Sequence, residues 1–482
     1  MRTTHAAVAL LLAVPIITAA AHRSAPQERA APVTFTEHVA PIVYANCVTC
    51  HRAGEVAPFP LVAYEDVAKR AKQIARVTEQ RIMPPWHAAP HYGEFADERR
   101  LTDEQIETIR AWVSRDMPRG PAGKMPALPR FTDGWQLGTP DLVLEMPEPF
   151  DVPASGPDVY RNFVLPAGLA DDKWVRAVEY RPGTRAVVHH SVIAFIKGGS
   201  AANLLARDGK PGFNGAMPVA FVPGFGPAGD LDTWAVGQLP HALPAGLARP
   251  LPKNSDLVLQ LHLHPTGKAE RERSRIGLYF TPNAPERRIR DMGVPGLFGL
   301  LAGLDIPAGD KNFTITGRLT LPADMLALSV SPHAHYLGKE FKATATLPDG
   351  STKPMLWIQD WDFNWQDRYY YKEPVQLPKG TVIDVTITYD NSAENPRNPC
   401  KPPRRVQWGM QSTDEMGGMR FQMVPANADA ETALQQNFAP ALGRGIARAA
   451  QSDAAKDAAK RFADQQQRFR DGLAAPGACE GK

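Results

Sequence analysis

From about residue 138 to residue 425 the chain is cut into short apolar or alternating segments by Pro, Gly and Asp. They include "DLVLEM", "AVVHHSVIAFI", "DLVLQLHLH", "KNFTITGRLTL", "MLALSVSPHAHYL" and "TVIDVTITYD". Many short β-segments separated by turn residues predict antiparallel sandwiches of jelly-roll type, and this stretch is long enough for two. A division is expected near "LLAGLDIPAGDKN", giving β-units at 138–303 and 304–425. At 482 residues the chain exceeds what one core supports, so about three domains are expected.

What precedes the sandwiches reads differently. Residues 1–21, with Arg2, an apolar run from Ala6 and small residues at Ala19 and Ala21, have the layout of a secretory signal peptide; an uncleaved anchor is the alternative. No later stretch is apolar for long enough to span a membrane, so a soluble, exported protein of the periplasm or exterior is expected. The 32–120 segment is predicted to be helical around "CVTCH" at 47–51, the C-x-x-C-H attachment sequence of a c-type haem. Cys47 and Cys50 would carry one covalent haem and His51 would bind its iron. A thioredoxin-like or zinc reading fits less well, because no βαβ pattern and no second C-x-x-C accompany the motif. Helices are expected over 34–46 and over 101–118, the second with a capping box in Thr102 and Gln105. This arrangement resembles the class I cytochrome c fold. Met83, in "RIMPPWHA", is the favoured sixth iron ligand, with His87 and Met117 as competitors and core packing as the ordinary use of a Met. A Pro/Gly-rich linker at 121–137 follows.

Six of the 13 histidines fall in three tight groups on predicted strands: His189 with His190, His262 with His264, and His333 with His335. Side chains alternate along a strand, so His333 and His335 share a face and can share an ion. Imidazole suits Zn, Cu, Fe and Ni alike, whereas a thioether such as Met416 in "STDEM" favours Cu(I).

Taken in order, H-H, "LQLH", "HAHYLGK" and "STDEM" resemble the copper type II, ascorbate-dependent monooxygenases, the family of peptidylglycine α-hydroxylating and dopamine β-monooxygenases. The resemblance covers about residues 150–425. It implies paired jelly rolls facing each other across a water-filled cleft, and two copper ions. His189, His190 and His262 would hold an electron-storing copper; His333, His335 and Met416 would hold the catalytic copper that takes dioxygen. His264 matches no ligand position. The implied reaction is hydroxylation of a substrate C–H bond, with the haem passing electrons from an exported donor. The alternative is a non-catalytic electron-transfer or copper-binding protein using the same ligands.

Departures bear on the substrate. Where the peptide-processing member has an Arg before its H-x-H, this chain has Ser331. After the Met it has Gly417, Gly418 and Arg420, so the family's disulfide is lost, although Arg420 could still bind an anion. Small-molecule substrates are therefore expected, without further definition. A formal charge of +3 gives no reason to expect nucleic acid. Cys400 and Cys479 could form a disulfide. The Ala- and Gln-rich tail, 426–482, is expected to be a solvated helical extension.

Overall fold

The computed structural model describes residues 32–131, 134–202, 205, 209–215, 228–436, 456–457, 460, 462–464 and 467. The signal segment and Cys479 lie outside them; Cys400 is buried and disulfide-bonded.

A small helical unit comes first. A π-helical turn, Phe35–Val39, runs into the α-helix Ala40–Asn46, which ends at Cys47. The expected second helix forms over Asp103–Val113, and its capping box closes as the residues dictate. Thr102 Oγ1 accepts from the Gln105 amide at 3.1 Å, and Gln105 Oε1 accepts from the Thr102 amide at 3.0 Å. Two further short helices, Tyr64–Lys69 and Ala71–Glu79, lie between them. Phe35, Val39, Val43, Ile109 and Trp112 form the centre of this unit.

The rest of the described chain is antiparallel β-sheet in two groups. In the first, the five-stranded sheet contains Val159–Pro166, Ser255–Leu263 and Val188–Lys197 side by side, and faces a four-stranded sheet. Leu257, Leu259, Leu261 and Leu263 point into the core between these sheets. The strand's other residues face away, His262 among them, as its period of two requires. In the second group, Met325–Ala334 lies between Gly417–Pro425 and Tyr369–Leu377 in one sheet. A second four-stranded sheet includes Val382–Tyr389, whose "VIDVTITY" alternates in burial along its length.

The change from one group to the other comes between Thr281 and Arg290, upstream of the expected division at 303/304. Arg290–Val294 already pairs with Met419–Met423 of the second group. The Pro/Gly-rich stretch that suggested the division lies inside the second group, where it holds the end of the 3-10 helix Gly296–Ala302 and the short strand Asp305–Ile306, paired with Val406–Gln407. The tail also differs from expectation. A helix begins at residue 428, and Ala430 and Leu434 enter the second core. Glu431 is held by Arg290 at 2.7 Å, and Phe462 lies against Trp408.

The helical unit and the second sandwich are joined by a strap. Ala89 N donates to Trp357 O at 2.7 Å and Ala96 N to Tyr370 O at 2.8 Å, while Trp86 and Phe95 pack against the second core.

Candidate metal centre

His189 and His190 are neighbours in sequence, and a regular strand would send them to opposite faces. The pairing with Ser255–Leu263 slips between Val188 and His190: Val188 lies opposite Leu263 and His190 opposite His262. One extra residue, His189, is thus inserted at a bulge, which turns both imidazoles toward the same place. There His189 Nδ1 is 3.2 Å from His190 Nδ1, which is 3.3 Å from His262 Nδ1.

The outer nitrogens decide what those inner ones are. His189 Nε2 lies 3.2 Å from the Phe363 carbonyl oxygen, and His262 Nε2 lies 2.9 Å from Asp158 Oδ2. The carbonyl only accepts, so His189 Nε2 carries the proton and its Nδ1 presents a lone pair inward, while Asp158 lies at ion-pair distance behind the His262 ring. Lone pairs facing one another are repulsive unless a cation sits between them. Imidazole nitrogens about 2.0–2.1 Å from one tetrahedral ion stand about 3.3–3.4 Å from each other, so the two spacings through His190 match a bound metal, and all three ligand atoms lie within 4.8 Å of one another. Among the described residues this trio is the one set of His, Cys, Asp and Glu side chains grouped closely enough to hold an ion. His264 stays outside it, half-exposed, with Nδ1 2.7 Å from Asp158 Oδ1.

The second group is built with the opposite ring orientation. A bulge between Ala327 and Ser329 shifts the strand's parity, so that Val330 and Ala334 fill the core and His333 faces out of it. His333 Nδ1 donates to Gln366 Oε1 at 2.6 Å, and His335 Nδ1 donates to the Asp414 carbonyl at 3.1 Å. Each therefore keeps a lone pair on Nε2, and the two ring centroids are 5.3 Å apart. Met416 immediately precedes Gly417, which pairs with Ala334, so the thioether-bearing residue enters beside the two histidines. Glu415 staples these segments together. Its buried carboxylate accepts from the amides of His335 at 2.9 Å, Leu337 at 2.6 Å and Met416 at 3.1 Å. Burial pushes this carboxyl up to about 8, against the pull of its amide donors. Gly417 also has a reason to lack a side chain. Tyr389 Oη donates to Met416 O at 2.9 Å, and a Cβ on Gly417 would lie 1.7 Å from that hydroxyl.

Burial holds all four of His189, His190, His333 and His335 below the ordinary imidazole range, His189 at about 3 and His333 at about 4. Neutral rings are the form that binds metal. Asp158 goes the other way. Burial alone would raise its carboxyl, but the His262 and His264 rings hold it well below the usual range.

The two groups stand side by side, with the His190 and His333 ring centroids 6.3 Å apart. The water-filled cleft expected between them is therefore absent from the described residues. The loop 359–368 closes that space. The Phe363 ring stacks on His189 at 4.3 Å and meets His335 at 5.8 Å, and Arg368 pairs across with Asp232 at 2.7 Å. Asp158 crosses the same boundary from the other side, accepting from the Ser412 hydroxyl. Asp158, Phe363, Gln366 and Glu415 carry no metal-ligand signature in the sequence, and only "STDEM" placed one of them beside a recognised residue.

The remaining expectations divide. Arg420, expected as an anion binder, is neutralised by Asp230 and Asp291, each at 3.2 Å, so it has no charge to offer. Ser331 accepts from Arg368 Nε at 3.3 Å, and that guanidinium is committed to Asp232 and Thr233. In the helical unit, Cys47 and Cys50 are unbridged thiols; burial pushes Cys47 up to about 12. His51 Nδ1 donates to Phe59 O at 3.1 Å, which leaves Nε2 as the lone-pair nitrogen. Met83 is exposed, Met117 packs on the helical core, and burial holds His87 below the ordinary imidazole range, against the opposite pull of Asp362 and Asp360.

No protein-family model matches the chain, and no curated protein matches it. Among solved structures, the VP2 subviral particle of infectious bursal disease virus is 8% identical with a TM-score of 0.19, over 63% of this chain and 76% of that one. A variant of Bacillus subtilis oxalate decarboxylase is 7% identical with a TM-score of 0.14, over 70% and 87%. Likenesses of this size say nothing about what the chain does.

Proposed function

We propose that the chain is an exported copper-dependent monooxygenase, related in its ligand order to the copper type II family and supplied with electrons by a covalent haem c. One observation carries the reading: five imidazoles from two sandwiches, His262 and His335 buried and the other three partly so, meet in adjacent groups, and outer partners orient four of the five rings. His189, His190 and His262 would hold one copper through Nδ1; His333, His335 and Met416 would hold the second. Copper so bound supplies one-electron redox chemistry and, at the thioether-bearing group, a place for dioxygen. The chain's own residues do the rest. Asp158 and the Phe363 carbonyl fix two rings of the first group, and Gln366 and the Asp414 carbonyl fix those of the second. Glu415 keeps Met416 in register with His335, and the loop 359–368 excludes water. In the overall reaction one oxygen atom enters a substrate C–H bond and the other leaves as water, consuming two electrons and two protons.

Cys47 and Cys50 would form the thioether bonds to haem, His51 Nε2 would bind its iron and Met83 would be the sixth ligand. Electrons would come from an exported donor. The test is haem and copper content together with dioxygen uptake, on protein matured in a host that attaches haem c. One haem, two coppers and a reductant-dependent uptake lost in Met416→Ala are expected. Zinc in place of copper, or uptake indifferent to Met416, would sink the proposal.

Burial favours a second reading. His262 and His335 are only 2% and 3% exposed, as suits a copper-binding or electron-transfer protein without a substrate. Copper binding without dioxygen uptake would establish that one.

A further inference from the structure

The helical unit touches both sandwiches, but the turn that carries Cys47 and Cys50 is tied to the first. Arg52, directly after His51, folds back over that turn. Its Nη1 donates to the carbonyls of Val48, at 3.3 Å, and of Thr49, the two residues between the cysteines. Its Nη2 meets Glu55 Oε1 at 2.9 Å, and the other oxygen of that carboxylate meets Arg185 Nη1 at 3.2 Å. One carboxylate thus joins a guanidinium of the helical unit to a guanidinium of the first sandwich. The three side chains are 15%, 14% and 23% exposed, so salt screens them less than it would a surface pair.

Arg185 stands on a fixed backbone. Glu272 accepts from the amides of Gly183 at 3.0 Å and Thr184 at 2.5 Å. Val187 N donates to Thr184 O at 3.2 Å, and Val187 O accepts from His264 N at 2.8 Å. Two residues further on is His189, the inserted residue of the bulge. The link therefore runs from the carbonyls of the C-x-x-C turn, through two ion pairs, to the segment that enters the three-His group. The strap to the second sandwich starts elsewhere: Trp86 lies 36 positions after Cys50.

We propose that Arg52, Glu55 and Arg185 are positioning residues that dock the haem-carrying turn against the first sandwich. Electrons then enter at His189, His190 and His262 rather than at His333, His335 and Met416. The inference rests on the haem and copper reading above. A carboxylate shared by two guanidinium groups fixes direction as well as distance, which a single flexible pair does not. The transfer it serves moves one electron: ferrous haem becomes ferric as the cupric ion of the three-His group becomes cuprous.

The test uses the full chain loaded with haem and copper, in the absence of dioxygen. The haem is reduced by a pulse of photogenerated reductant, and the decay of its ferrous absorption is followed. Arg185→Leu and Glu55→Gln should each slow that decay about tenfold, by depleting the docked arrangement. Arg185→Lys, which keeps the charge, should restore most of the rate. The haem midpoint potential and the haem and copper contents should not change in any of the three. An unaltered decay in both Arg185→Leu and Glu55→Gln overturns the contact and leaves the haem and copper reading standing. Slowing that comes only with a shifted midpoint or lost copper overturns it as well, since the residues would then be merely structural. His262→Ala, which empties the first group, separates the entry points. Loss of the decay is expected, and an unaltered decay would place the entry at the second group and overturn the proposal. An unaltered chain that takes up no haem or no copper overturns the reading beneath it, and the inference with it.

Discussion

The two histidine groups use the same side chain in opposite ways. In the first sandwich three Nδ1 atoms face inward, drawn from a bulge and the neighbouring strand, and one outer partner is the anionic Asp158. In the second, two Nε2 atoms are left free by neutral acceptors, Gln366 and a carbonyl, and a Met supplies the third candidate donor. A carboxylate behind an imidazole raises its basicity and favours a more highly charged metal; neutral acceptors and a thioether favour the reduced ion. The difference teaches that ligand counts alone miss half of what sets the two sites apart.

The strongest way to break the comparison is to remove one ligand from each group. His262→Ala is expected to lower the copper content from two ions to one while leaving the second site filled, and His335→Ala to do the converse, by metal analysis. If either variant loses both ions, the two groups form a single unit. Asp158→Asn comes next: loss of the anionic partner should weaken copper at the first group about 10–100-fold. Gln366→Leu should weaken only the second, toward the lower end of that range. Competition with a copper chelator reads both.

Acid should expose what the groups have in common. Unfolded imidazoles take up protons near pH 6.5, whereas folded His189 and His333 resist until about 3 and about 4. The unfolded state therefore binds more protons below about pH 6.5, and the metal-free protein should lose stability as the pH falls from there. Denaturant midpoints of the metal-free protein between pH 7 and 5 would check this; a flat profile would mean that the rings titrate normally. The smallest effect is expected for Phe363→Leu, which removes ring contacts to both groups. It should cost about 0.5–1.5 kcal/mol beyond lost area in thermal unfolding and leave the difference between the sites intact.

Much of this was readable in advance. The alternation in "VIDVTITY" marks a half-buried strand, and Thr102 with Gln105 marks a helix start, because both signals act over a few residues. The shared face of His333 and His335 follows from the strand period. His189 and His190 were harder, since their convergence depends on a bulge whose cause is the pairing with Ser255–Leu263. Asp158 was invisible, for nothing near it in the chain hints at His262, 104 positions later. Phe363 and Gln366, in "DWDFNWQDR", look like ordinary loop residues.

The amino-acid order by itself determined which side chains could bind metal, which segments would become strands, and that a C-x-x-C-H motif precedes them. Those properties reside in residue type and local spacing. Only the tertiary structure decided which nitrogen of each ring faces inward, that the two groups stand side by side without a cleft, and that Arg420 is neutralised. Each of these depends on partners distant in sequence, whose proximity is set by sheet pairing and by the burial of charge.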